Sequence, residues 1–429
     1  MSFQTGLSGL NASSQMLDVI GNNIANANTI GNKESRVEFS NIVAAAIGTG
    51  GGGSGQGIGV DVATISEQFT QGNLSVTNNN MDLAINGNGF FQVTRTDGTT
   101  AYTRDGQFKL DKNGNILTNT GANVMGYPTD NTGAPTSITP QKLVIPTTAP
   151  IAASATTTIT AGLNLDSRAS IASSATPPTP RSTYGTSVTT YDSQGNAIPE
   201  TLYFTKINPA ISTESPIGVT TPATDQWAIY DSLATTATPV GYMTFNSTGG
   251  IAGTYDATGT ATTTAGKLPL SIPNASNPTA GPLTPTLDVT GVTQYGTNFA
   301  VSNLSQNGYT SGNFTSLTID SKGVITTNYS NGQTMKTGGM VALGNFRNVQ
   351  GLTDVGNGEY LESYKSGSVV MGNPSVGQFG EIRAGSVEES NVDLTSELVN
   401  MMTAQRNYQA NAQTIKTQDQ IMSTLVNLR

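Results

Sequence analysis

The sequence predicts a multidomain α+β protein: amphipathic N- and C-terminal helices forming a coiled-coil-like inner domain, with two nested, mainly antiparallel β domains between them. Three observations carry this. Apolar residues recur at helical spacing at both ends, short alternating segments punctuated by turns fill the middle, and composition shifts twice within that middle. The chain has 429 residues, length for about three domains at ~150 residues each.

The first element covers the N-terminal stretch. Phe3, Leu7, Leu10, Leu17 and Ile24 fall on one seam, and the small Ser14 and Gly21 occupy the intervening seam positions, where two helices approach closely. An Asn-rich stretch, 22 to 28, ends it, since Asn takes cap and left-handed conformations readily. At the other end, Leu394, Leu398, Met401, Tyr408, Ala412, Ile415 and Met422 recur at spacings of three, four and seven, with no Gly or Pro from Asp393 to Arg429. An amphipathic helix alone in water does not hold, so each seam must be buried against the other helix or against further copies of the chain.

Between the helices, the glycine run Gly48 to Gly57 reads as a flexible tether: no Lys follows it, as a phosphate-cradling loop requires. From Val60 onward the apolar period becomes two. Leu83-Ala84-Ile85 and Phe90-Phe91-Gln92-Val93 flank Asn86-Gly87-Asn88-Gly89, a hairpin signal. Turns follow at Asp97-Gly98, Asp105-Gly106, Asp111 to Asn115, Asp192 to Gly195, Asp256 to Gly259, Asp320 to Gly323 and Asn331-Gly332. The Asp111 segment lacks the closing Glu of a calcium loop, since Ala122 stands at its twelfth position, and reads as a plain turn.

Stretches rich in Ala, Thr, Ser and Pro, from Pro146 to Pro180 and from Gly266 to Pro285, frame an insert that contains the only Trp, Trp227. The expected organisation is therefore a terminal helical domain of residues 1–27 and 391–429, a linker with the Gly-rich segment at 28–71, a middle β domain of 72–147 with 289–365, an outer inserted β domain at 148–288, and a return linker at 366–390.

Composition excludes several functions. There is no Cys and no His, which removes thiolate nucleophiles, Ser-His-Asp catalysis and thiol or imidazole zinc sites. Glu388-Glu389 is adjacent in sequence, reads as a solvated turn, and makes no paired-carboxylate site. No catalytic residue, metal or cofactor is expected. Charged residues are 11%, against a typical ~25%. The net charge is −9 with no basic cluster, so nucleic acid is not a partner. No apolar run approaches the ~20 residues of a membrane span, and no basic-then-apolar leader precedes Lys33, so neither membrane insertion nor a cleaved signal peptide is expected.

Several segments carry a family resemblance. Leu10-Asn11-Ala12, Leu17 to Asn26, Met81 to Ile85, Asn88 to Phe91, Gly106 to Asp111, Tyr191 to Asn196, Glu389 to Leu394, Glu397 to Met401 and Ala404 to Asp419 resemble the signatures of the bacterial flagellar rod and hook axial protein family, most closely its hook proteins. The resemblance implies an enzymatically inactive structural subunit that self-assembles with other hook subunits into a curved helical tube, a universal joint passing torque from rod to filament. It also implies an extracellular place in the flagellum, export without a cleaved signal, and contacts with the export apparatus, rod, hook cap and hook–filament junction proteins. The terminal helices become its polymerisation domain. The alternative is another self-assembling extracellular β-rich protein: a flagellar rod protein, a phage tail subunit or an adhesin.

Overall fold

The computed structural model describes residues 2–44, 56–172, 182–207, 225–234, 237–274, 278 and 281–427. Most of the tether, 48–55, and the prolines at 177–180 lie outside them. The chain divides into two compact units, one of residues 1–148, 315–328 and 334–429, the other of 149–314 with 329–333.

The first unit holds both helices, α1 (Ser2–Ala25) and α2 (Leu394–Asn427). Asp393 caps α2, its Oδ1 accepting the amide of Thr395 at 2.8 Å and that of Ser396 at 3.3 Å, and Glu397 adds a negative charge in the first turn. Between the helices, residues expected to be linker form a long antiparallel hairpin. Its strands, β1 (Glu34–Ala44) and β2 (Gln56–Gln68), pair from Glu34 opposite Gln68 to Ala44 opposite Gln56, with two register shifts. This corrects the linker expectation for 28–71. Val37, Phe39 and Ile42 on one strand and Val60, Val62 and Ile65 on the other are β-formers, and the ladder pairs the backbone groups that face across it.

The remainder of the first unit is a mainly antiparallel sheet system, with Phe90–Thr94 pairing Thr100–Thr103, Asn123–Tyr127 and Leu343–Asn345. Its core includes Phe91, Val93, Phe108, Ile116, Ile145 and Leu343. The hairpin expected across Asn86 to Gly89 does not form. Leu83–Asn86 pairs instead with Glu381–Ala384, and Gly87 at φ 117° takes the chain from one sheet to the next against Gly380, where an added Cβ would lie 3.0 Å from backbone. Long-range pairing outweighs the local turn signal. The return stretch 366–390 is likewise no linker: Val370–Gly372, Glu381–Ala384 and Ser386–Glu388 are all paired strands.

The second unit contains two five-stranded sheets. One is a meander of Tyr184–Tyr191, Ala197–Ile207, Gln226–Tyr230, Gly241–Phe245 and Ile251–Asp256. The other is built on Thr158–Asp166, which pairs in parallel with Thr286–Asp288 and Thr293–Tyr295 and antiparallel with Ala300–Gln306. Ile159, Leu163, Phe204, Trp227, Met243 and Leu287 share its core. Residues 289–314, expected in the middle β domain, therefore belong to this unit, because their strands complete its second sheet.

The Asp-Gly turns follow one pattern. Asp111, Asp192, Asp256 and Asp320 each accept, through Oδ1, the amides two and four residues on at 2.7–2.9 Å. The glycine three residues on takes φ between 76° and 84°. The Asp111 segment is thus a turn whose Oδ1 is already taken by two amides.

Candidate assembly site: the terminal helices and their clamp

The two helices pack antiparallel, since a Cβ on Gly6 would meet Ile415 at 3.2 Å, one on Gly9 would meet Asn411 at 2.8 Å, and Asn23 lies beside Glu397. On α1 the contacts with α2 fall at Gly6, Gly9 and Asn23, and Ser13 and the apolar Ile20 are buried on the same row, at spacings of three, four and seven. Glu397 and Ala404 are its buried counterparts on α2. On α1 the predicted seam is the neighbouring row, one residue on, whereas on α2 Ile415 of the predicted seam itself meets Gly6. Phe3, Leu7, Leu394, Leu398, Tyr408 and Met422 are exposed, Leu398 by 51%, while Leu10, Leu17, Ile24, Met401, Ala412 and Ile415 are half-buried. Gly21, expected at a close approach, has nothing within 4 Å of a Cβ added there; Gly6 and Gly9 are the glycines that α2 crowds. An intramolecular pair thus leaves much of its apolar surface uncovered.

The ends of the helices are tied to the sheets by a buried polar cluster that sequence reasoning missed. Glu388, read as part of a solvated turn, is fully buried. Lys33 Nζ donates to its Oε1 at 2.5 Å, Arg104 Nη1 to its Oε2 at 3.1 Å, and the Gly72 amide to Oε1 at 3.0 Å. Lys33 also donates to the Thr70 carbonyl, and Arg104 to that of Gly87 while lying over the Phe90 ring at 5.2 Å. Burial pushes Lys33 and Arg104 below their ordinary values, and the Glu388 charge opposes this in both.

Asn391 extends the tie. Its amide donates to the carbonyl of Gln68 and the hydroxyl of Thr70 and accepts from the Glu34 amide, all at 2.8 Å. Asn23, near the end of α1, exchanges two hydrogen bonds with the Ser35 backbone and donates to Glu397 at 3.4 Å. Beside these groups, burial pushes the Glu67 carboxyl up to about 7. Five separated segments, around 23, 33, 70, 104 and 390, thus meet at the base of the helices. The one signal in the sequence was rarity: in a chain with 19 basic residues, Lys33 is the first.

Comparison with known proteins decides what this arrangement belongs to. Family models match along the chain, a flagella basal body rod protein model over residues 3–33, a flagellar hook protein FlgE/F/G D1 domain over 84–162, a flagellar basal body protein FlaE D2 domain over 164–309 and a flagellar basal body rod FlgEFG protein C-terminal region over 383–428. The flagellar hook protein FlgE of Salmonella typhimurium is 38% identical over 100% of both chains, and that of Escherichia coli 39% over 100% of both. The chain belongs to the flagellar hook protein family. That of Treponema pallidum is 31% identical over 99% of this chain and 98% of its own. The crystal structure of the Helicobacter pylori flagellar hook protein FlgE2 covers 73% of this chain and 100% of its own at 14% identity and a TM-score of 0.51, a likeness of fold. As a member of the hook protein family, the chain is a structural subunit of the bacterial flagellar hook.

Proposed function

We propose that the subunit polymerises through the apolar rows its own helix pair leaves uncovered, into a curved tube that acts as a universal joint between rod and filament. The observation that carries this is the offset between two rows. On α1 the contacts with α2 fall at Gly6, Gly9 and Asn23, with Ile20 the one large apolar side chain buried on that row, while Phe3 and Leu7 stay exposed; on α2, Leu394, Leu398 and Met402 are exposed as well. Single exposed apolar side chains are ordinary, but rows on adjacent helices at coiled-coil spacing call for partners of the same kind. Residues 1–27 and 391–429 then form the concentric inner domain, their seams closed by neighbouring copies. The β domains, with few charges and many Thr, Ser and Asn, would meet neighbours through wet polar contacts that are re-made as the tube bends.

Rod, hook cap and hook–filament junction proteins are the expected neighbours of such a tube. Export through the flagellar apparatus without signal cleavage fits helices that stay incompletely covered in the monomer.

Leu398→Glu tests the reading. Leu398 is half exposed in the monomer, so thermal unfolding should move by no more than about 0.5 kcal/mol. Burying that carboxylate unpaired at each subunit contact costs several kcal/mol, and electron microscopy at high protein concentration should show no tubes. Thr414→Glu, about 160° round the helix from Leu398 at 3.6 residues per turn, should polymerise. Normal tubes from Leu398→Glu, or an unfolded monomer, would refute the assembly face.

A further inference from the structure

We propose that Asn357 is a site of spontaneous, structure-directed deamidation, the most reactive of the six Asn-Gly pairs in this chain. The reaction needs the amide nitrogen of the following glycine to be free to approach the Asn Cγ, so what matters is how each pair is held. Four are restrained by hydrogen bonds at the reacting atoms, and the fifth, Asn88-Gly89, by its neighbouring backbone and burial. Asn86 donates to Glu381 while the Gly87 amide donates to Gln71. The Gly114 amide donates to the Asp111 carbonyl. Asn307 accepts the Thr157 and Thr158 amides, and the Gly308 amide is held by Gln306. Asn331 accepts the Gln333 amide and donates to Thr310, and the Gly332 amide donates to Tyr329. The Asn88 carbonyl accepts the Gly380 amide at 2.8 Å, and Gly89 is buried against Leu343.

Asn357 differs at the reacting atoms, although the turn around it is anchored by the Thr103 hydroxyl donating to the Gly358 carbonyl and the Gly356 amide donating to Asp354, each at 2.8 Å. It stands exposed at the tip of the turn joining Thr353–Asp354 to Glu359–Leu361, closed below it by Val355 N–H to the Glu359 carbonyl at 3.0 Å and Glu359 N–H to the Gly356 carbonyl at 3.1 Å. Among the described residues, neither the Asn357 side chain nor the Gly358 amide has a hydrogen-bond partner. Nothing lies within 4 Å of a Cβ placed on Gly356 or Gly358, so the turn has room to reshape. Asn357 itself takes φ 59°, the left-handed conformation that Asn tolerates at a turn tip.

The step balances without a co-reactant other than water. The Gly358 nitrogen forms a bond to Asn357 Cγ, the Cγ–Nδ2 bond breaks, and ammonia leaves carrying the proton lost from that nitrogen. Water then opens the cyclic imide at either carbonyl, leaving an aspartyl or isoaspartyl residue at 357 and a new negative charge beside Asp354. The backbone lengthens by one atom in the isoaspartyl product, at a turn whose surroundings are open.

The native full-length protein, held at mildly alkaline pH and digested with trypsin, tests this. Cleavage after Arg347 and Lys365 releases residues 348–365, in which Asn357-Gly358 is the one Asn-Gly pair. Its conversion, read by mass spectrometry and by isoaspartyl methylation, should run about tenfold ahead of Asn113, Asn307 and Asn331, the factor that ~1.4 kcal/mol of lost hydrogen bonding corresponds to. In urea the sites should converge, and Asn357→Gln should remove the leading acidic species on isoelectric focusing. Equal native rates at all sites, or a lead at Asn357 that persists in urea, would overturn the proposal.

Discussion

Removing the Glu388 carboxylate should release the base of the helices. The side chains of Lys33, Arg104 and Glu388 are 1%, 6% and 0% exposed, so Glu388→Ala leaves two cations buried with no anion between them. Breaking one buried pair from one side costs about 3–5 kcal/mol. The Gly72 amide loses its acceptor as well, adding about 1–3 kcal/mol. The total, roughly 4–8 kcal/mol, sits toward its lower end because Lys33 keeps the Thr70 carbonyl and Arg104 keeps the Gly87 carbonyl and the Phe90 face. Against a typical domain stability of about 5–15 kcal/mol, that is enough to open the clamp. Native-state amide exchange is the assay. Gly31, Gly72 and Glu389, whose amides bond across the clamp, should lose protection, while the meander around Trp227 keeps its own. A triple variant, Glu388→Leu with Lys33→Met and Arg104→Met, should recover most of the loss, because an apolar replacement of a whole buried ion cluster is often neutral or better. A loss under about 1 kcal/mol for Glu388→Ala, the size of an exposed ion pair, would refute the reasoning. So would a triple variant no better than the single one.

Two further outcomes follow from pH and packing. Burial pushes Glu67 from 4.5 up to about 7, and burial with the charge of Asp231 does the same for Glu200. The folded state thus holds protons that the unfolded chain releases, so the stability these sites contribute is fully present below about pH 4.5 and is lost as pH rises through about 7. In urea titrations across that window, Glu67→Gln and Glu200→Gln should each flatten the slope; an unchanged slope would show that the group ionises normally. In α1, Gly21→Ala meets no atom and should stabilise by about 0.5–1 kcal/mol, whereas Gly6→Leu drives a side chain into Ile415 and should lower helicity by circular dichroism. Equal effects at the two glycines would contradict the observed packing face.

The sequence by itself determined the elements whose causes are local. Both helices were legible because their period is carried by side chains three and four apart, and the Asp-x-x-Gly turns because one carboxylate and one glycine close them within five residues. The resemblance in the terminal segments already pointed to the hook family. Tertiary structure alone decided the rest. Which row of α1 meets α2 depends on how closely the backbones approach, and the close approach falls at Gly6 and Gly9 rather than on the apolar row at Leu7 and Leu10. The strands Leu83–Asn86 and Ser386–Glu388 find partners hundreds of residues away, so a local hairpin signal could not place them. Glu388 looked like any surface carboxylate because nothing within its own segment is cationic. Its partners, Lys33 and Arg104, arrive from 355 and 284 residues away, and only the folded chain brings their charges together where water is excluded.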